Sequence, residues 1–233
     1  MVLDGLFKKK EEKEAVAGDL ELQRLQLERD EFELRSNFYK KIIEKYAAMI
    51  NEYEEKTVPE LKNLINRNDP AVQALKKNFL AELSVEKIKR GTSPQFSHAE
   101  DFLFIMDKVF KYCQSLKHIH ANLSVSFWQS MAEIAELQAA DPFDRAILLC
   151  SILTAFDGKA HVRVLELENN VIHPIVIAEF EGKRFVLDPS QPDSLATTYS
   201  GELLESVLQE FQFDGNKYLK SDYEFSEEEY LEF

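Results

Sequence analysis

The sequence predicts an α+β protein: a long helical N-terminal arm, then a helical layer, then a short antiparallel sheet. Three observations predict it. Between Gly18 and about Lys56 neither proline nor glycine interrupts the chain, and Leu25, Phe32, Tyr39, Tyr46 and Tyr53 recur at every seventh position. From there to Phe156 a helical pattern is punctuated by capping signals. After Gly158 the apolar period changes from that of a helix to that of strands.

The arm reads as one amphipathic helix. Ile42, Ile43 and Ile50 broaden the heptad stripe in its second half, and Leu20, Leu27 and Leu34 form a second row. About 38 residues of helix would reach about 57 Å, longer than a small domain is wide. The spacing therefore predicts a helical hairpin, or a coiled-coil contact with a protein partner or a second copy. Helix starts follow at Thr57 to Glu60, Asp69 with Pro70, Ser97 to Glu100, and Ser130 to Glu133. In "KRGTSPQFS", Gly91 and Pro94 break the pattern, which divides the chain into an arm over 1–95 and a second domain over 96–233. Strands are read in "HVRVLEL", "VIHPIVIAEF" and "KRFVLD", with a tight turn at Glu181-Gly182. A helix from Gly201 to Phe211 and an acidic aromatic tail, "SDYEFSEEEYLEF", complete the order. Ser226 to Glu229 in that tail also has the form of a capping box, so the tail reads as a solvated terminal helix or strand, or as a docking peptide for a basic partner.

The charge is unevenly placed. Residues 1–95 carry 18 Lys/Arg against 18 Asp/Glu, whereas 96–233 carry 10 against 24, the whole of the net −14. An acidic domain repels phosphate backbones, so no nucleic-acid partner is expected. Apolar runs end well short of the ~18 residues that span a bilayer, and "MVLDGLFKKKEEK" lacks a signal peptide's apolar stretch, which predicts a cytoplasmic protein without a membrane span. With only Cys113 and Cys150, and no C-x-x-C, neither disulfide nor structural metal is expected. No phosphate loop, H-E-x-x-H or G-x-S-x-G occurs, and no cofactor is expected.

The stretch "FWQSMAEIAELQAADPFDRAILLCSILTAF" followed by "VIHPIVIAEFEGKRFVLDPS" resembles the transglutaminase-like superfamily, with spacing similar to that of prokaryotic, particularly archaeal, members. The resemblance implies a papain/transglutaminase-like domain, its helical layer packed on the sheet. In the family a helix opens with D-C-E-D-x-A-x-L-L, a strand carries histidine, and a further strand ends in L-D-P. Cysteine is the nucleophile, histidine activates it, and aspartate orients the histidine. Asp141, Asp144, Ala146, Leu148 and Leu149 match the helix opening, His173 the histidine, and Asp188 the aspartate. The nucleophile's place falls on Pro142, and Phe143 replaces the acidic residue after it. Proline has no nucleophile, so Pro142, His173 and Asp188 read as vestigial triad positions. Read without the resemblance, Asp141 as N-cap, Pro142 as first helical residue and Asp144 in the first turn simply make a good helix start.

Other residues complete the reading. Trp128 and Gln129 stand before the helix as candidate cleft residues with Asp141 and Asp144, Gln129 as an oxyanion donor or Trp128 as a core anchor. Cys150 is the alternative nucleophile, but it lies about 12 Å along the helix from position 142 and about 80° around it. Leu148, Leu149, Ile152 and Leu153 surround it, which predicts a buried thiol. His118 and His120, two residues apart, face different ways as metal ligands on a helix. Three functions remain open: a catalytically inactive binding or assembly module using its cleft and arm; an active cysteine acyltransferase or protease using Cys150, or a hydrolase using His173 and Asp188 with water; and a structural protein built on its N-terminal helices.

Overall fold

A computed structural model of the protein describes residues 2–119, 127–191, 197–200 and 204–233, with side chains outside 2–20, 53–54 and 197–200. The chain separates into two compact units, one containing α1 (Val2–Glu54), the other beginning at Glu55. The helix α1 is continuous over 53 residues, running through Gly5 and Gly18 to a length of about 80 Å. Leu25, Phe32, Phe38, Tyr39, Tyr46 and Met49 are all exposed on it.

The second unit opens with α2 (Val58–Leu64), capped by Thr57, whose backbone N–H donates to Glu60 at 2.9 Å. In α3 (Pro70–Lys89) Asp69 accepts from the Ala71 N–H at 2.8 Å, and Pro70 takes the first position, where a missing N–H costs nothing. The expected division near residue 95 lies within the second unit. Ile65, Val72, Phe79 and Leu83 join the core of α4 (His98–Ser115), and the chain divides at Glu54. The stretch "KRGTSPQFS" is a pinned corner instead. Buried Lys87 donates to Gln95 O at 2.9 Å and to Asp101 Oδ2 at 2.7 Å, and Asp101 also accepts from the Ser97 N–H. Removing one partner of such a buried pair costs about 3–5 kcal/mol.

A two-stranded parallel pair, β1 (Lys117–His118) with β2 (Ala139–Ala140), flanks α5 (Met131–Leu137), which starts with the Ser130–Glu133 capping box. The helix α6 (Pro142–Ala155) is the centre of the unit, with every residue from Asp144 to Ala155 buried. Gly158 follows it because a side chain there would collide with Phe102, 2.3 Å from where its Cβ would lie.

Among the described residues the sheet has seven strands. Beyond the three expected, β3 (Lys159–Leu167), β4 (Val171–Phe180) and β5 (Lys183–Leu187), it contains β6 (Thr197–Ser200), β7 (Gln212–Phe213), β8 (Asn216–Phe225) and β9 (Tyr230–Glu232). The order is β6-β5-β4-β3-β8-β7, with β9 also paired to β8 and every pairing antiparallel. The tail is thus part of the sheet, and Ser226 opens a turn: its Oγ accepts from the Glu228 and Glu229 N–H groups between β8 and β9. Strand alternation gives the sheet two faces. Val162, Val164, Val176, Ala178 and Leu187 pack on the α6 side. Leu165, Ile175, Ile177 and Val186 pack on the other, under Leu204 and Leu208 of α7 (Leu204–Gln209). Of the expected helix Gly201–Phe211, residues 201–203 lie outside the described residues.

Candidate functional site

His173 stands opposite Leu165 in the β3–β4 ladder and shares the α7 face with Ile175 and Ile177. Pro174 beside it is tolerated because the β4–β5 ladder begins only at Val176, leaving that side of β4 unpaired at the proline. Asp188, one residue past β5, alternates to the same face as Val186. His173 Nε2 lies 2.9 Å from Asp188 Oδ2. The two side chains are 1% and 2% exposed. The carboxylate has further donors: Ser190 N–H reaches Oδ1 at 2.9 Å and Gln191 Nε2 reaches Oδ2 at 2.6 Å. Above the imidazole, Phe213 stacks with ring centroids 3.8 Å apart and Phe211 packs at 5.8 Å. The pair is therefore held from both sides and covered by aromatic rings.

The helix α6 packs on the opposite face of the sheet. Its C-terminal end and that of β4 both meet α4, through Gly158 against Phe102 and Phe180 against Phe102, so its N-terminus looks toward the end of the sheet that carries His173 and Asp188. Asp141 is the N-cap and accepts from the Asp144 N–H at 2.9 Å, with Pro142 at the first position. The link from this helix to the pair runs through Arg145 rather than Pro142. The Arg145 guanidinium is buried and donates to Ala140 O at 3.2 Å, Pro189 O at 3.1 Å and Leu116 O at 2.6 Å. One side chain thus ties the start of α6 to the strand end bearing Asp188. Burial pulls its pKa down, and the neighbouring Asp141 and Asp188 carboxylates oppose that pull. Arg145, Gln191 and Phe213 were not among the expected site residues. A buried arginine at the start of a mostly apolar helix is the one signal that marks the first, whereas the other two come from distant sequence.

The remaining expected residues form a second cluster at the start of α6. Trp128 packs edge-on against Phe143 at 5.7 Å, in contact with the core. The backbone N–H of Gln129 donates to Asp144 Oδ1 at 3.2 Å, while Gln129 Oε1 is buried without a partner among the described residues. Burial, and then the nearby Asp141, push the Asp144 carboxyl up to about 8. Burial likewise raises Asp141, against the donors at Asp144 and Phe143.

Both cysteines are fully buried. Burial pushes the Cys150 thiol up to about 12 and raises Cys113 as well, so neither is a thiolate at neutral pH. A cavity of about 960 Å³ opens at the other end of β3, lined by Arg67, His161, Arg163, Arg184 and Glu224 among others, and contains none of Pro142, His173 and Asp188. Most of its charges already pair with one another: Arg67 with Glu227, Arg184 with Glu179, and Arg163 with Glu224. Among the described residues no group of three or more His, Cys, Asp or Glu side chains is arranged to hold a metal ion, and no helix is long and apolar enough to cross a membrane. His118 lies in β1, and His120 lies outside the described residues.

No family model matches the chain, and no curated protein matches it. Among solved structures it is similar to Legionella pneumophila LapG, with a TM-score of 0.42 and 15% identity over 80% of this chain and 83% of that chain. It is also similar to the calcium-bound form of Legionella pneumophila LapG, with a TM-score of 0.41 and 14% identity over 55% of this chain and 66% of that chain. Likeness at this level assigns no activity.

Proposed function

We propose that this protein is a catalytically silent relative of the transglutaminase-like superfamily, with a papain/transglutaminase-like scaffold that serves as a binding or assembly module. The observation that carries the reading is the His173–Asp188 pair, joined at 2.9 Å on adjacent strands at the sheet end toward which α6 begins, with Pro142 as the first residue of that helix. A carboxylate-oriented imidazole is the base of an acyl-transfer site, but it needs a nucleophile to activate. Here the helix position that the sequence pattern gives to the nucleophile carries proline. The imidazole is 1% exposed and stacks under Phe213, which supports the reading that substrate does not reach it.

The rival reading, turnover by Cys150 with His173 and Asp188, has the thiol's environment against it. Cys150 is enclosed on all sides of α6, and a thiol pushed up to about 12 is almost wholly protonated at neutral pH. Of the two surfaces expected to bind, the cleft and the arm, the observations favour the arm. His173 is covered, whereas α1 exposes a continuous series of large apolar side chains. Vestigial triad positions at Pro142, His173 and Asp188 then serve the scaffold: the pair ties β4 to β5, and the proline starts α6.

Amide hydrolysis and acyl transfer by the full-length protein, measured against a Cys150→Ser variant of unchanged circular dichroism, test the reading. We expect no turnover above that of the variant. Turnover abolished by Cys150→Ser would contradict it.

A further inference from the structure

Resting on the reading of the arm as an assembly element, we propose that α1 pairs with α1 of a second copy as an antiparallel coiled coil centred near Asn37. Its exposed seam repeats with heptad spacing, alternating Leu25, Phe32, Tyr39 and Tyr46 with Glu28, Arg35, Ile42 and Met49. The row beside it, Ile43, Ala47 and Ile50, is already half-buried, and Leu27 and Leu34 are exposed on another side of the helix, but the heptad row that stays exposed through both halves of α1 is this seam.

Two charged residues in the seam decide the direction. In a parallel pair in register, Glu28 meets Glu28 of the partner subunit and Arg35 meets Arg35 of the partner subunit, like charges inside an apolar contact. The flanking positions add Arg24 against the partner's Arg29. In an antiparallel pair centred on Asn37, Phe32 meets the partner's Ile42 and Leu25 meets the partner's Met49. Arg35 then lies on the ring of the partner's Tyr39, a cation–π contact, and Glu28 meets the phenol of the partner's Tyr46. The flanks become complementary as well: Arg24 faces the partner's Glu52, Glu31 faces the partner's Lys45, and Phe38 packs on its own symmetry mate. In the single chain these charges make only exposed contacts within the helix, Arg24 with Glu28 at 2.8 Å and Arg35 with Glu31 at 2.5 Å, which are cheap to exchange. The contact is isologous, so it closes as a dimer and does not propagate into a fibre.

Full-length protein carrying Gln23→Cys tests the register, with a nitroxide spin label on the new exposed thiol and both native thiols protected by burial. Antiparallel pairing sets the two labels about 28 residues apart along the axis, or about 42 Å, by double electron–electron resonance, whereas parallel pairing brings them within about 25 Å. Light scattering gives the mass. Glu31→Lys should weaken the dimer about tenfold through two symmetric charge reversals, and Glu31→Lys with Lys45→Glu should restore it, since only the antiparallel register brings these positions together. A dimer with a short label distance would overturn the proposal and leave arm-driven assembly standing. A monomeric mass at about 100 µM, far above the Kd expected of a specific coiled coil, would overturn self-association altogether.

Discussion

Asp144 and Glu224 are acids that the fold treats in opposite ways. Asp144 is buried, with a carboxyl pushed up to about 8, so the folded protein holds its proton where the unfolded chain releases it near pH 4. Its contribution to stability is complete below about pH 4 and is lost as the pH rises toward 8. For Glu224 burial works toward a higher pKa, but hydrogen bonds and charge from His161 and Arg163 outweigh it and hold the carboxylate at about 2. Its contribution is present above the ordinary glutamate range and is lost as the pH falls toward 2. Asp144→Asn keeps an acceptor for the Gln129 N–H and removes the charge. We predict that this variant gains about 1–3 kcal/mol over wild type at pH 8, little at pH 4, and a flatter urea-midpoint profile between them. An unchanged profile would mean that Asp144 titrates as an ordinary surface acid.

Among the elements, α6 and the β7–β8 hairpin define the site between them. Arg145 holds one to the Pro189 segment, and Phe213 lays the other over His173. Phe213→Ala should cost about 1–3 kcal/mol, less than a fully buried phenylalanine because the side chain is only half-buried. It should also make His173 react with diethylpyrocarbonate at least several-fold faster, as read by peptide mass spectrometry. Equal rates would mean that the hairpin does not gate the imidazole.

The start of α6 was legible because its signals are local: an Asp N-cap, proline at the first position and an acid in the first turn lie within four residues. The cores of β3, β4 and β5 were legible from their β-branched runs. By contrast β8 was legible only as a terminal tail, helix or strand, and not as a strand inside the sheet. Lys220 and Glu224 make it read as a polar tail, and only its partners explain them, since Lys220 pairs with Glu166 at 3.0 Å and Glu224 with Arg163 at 2.6 Å across the β3–β8 ladder. The corner at 89–97 is a related case. Gly91 and Pro94 mark a turn, but Lys87 and Asp101 lock that turn into the core, and such a lock has no local signature.

At the scale of the whole molecule, the acidic surplus belongs to residues 96–233, while 1–95 is neutral, and the free apolar surface of α1 belongs to the other unit. On the proposed reading, proline at position 142 and a covered His173 leave this unit a scaffold's packing without its chemistry. Packing does not require a thiol at position 142: α6 is held by Leu148, Leu149 and the sheet residues Val176 and Leu187. The claim that no activated nucleophile exists is tested most directly by the rate at which iodoacetamide modifies the native full-length protein at neutral pH, followed by intact mass. The account predicts that Cys113 and Cys150 both stay unmodified until denaturant is added, and then both react. A native-state adduct that forms faster than on a free cysteine and disappears in Cys150→Ser would contradict it.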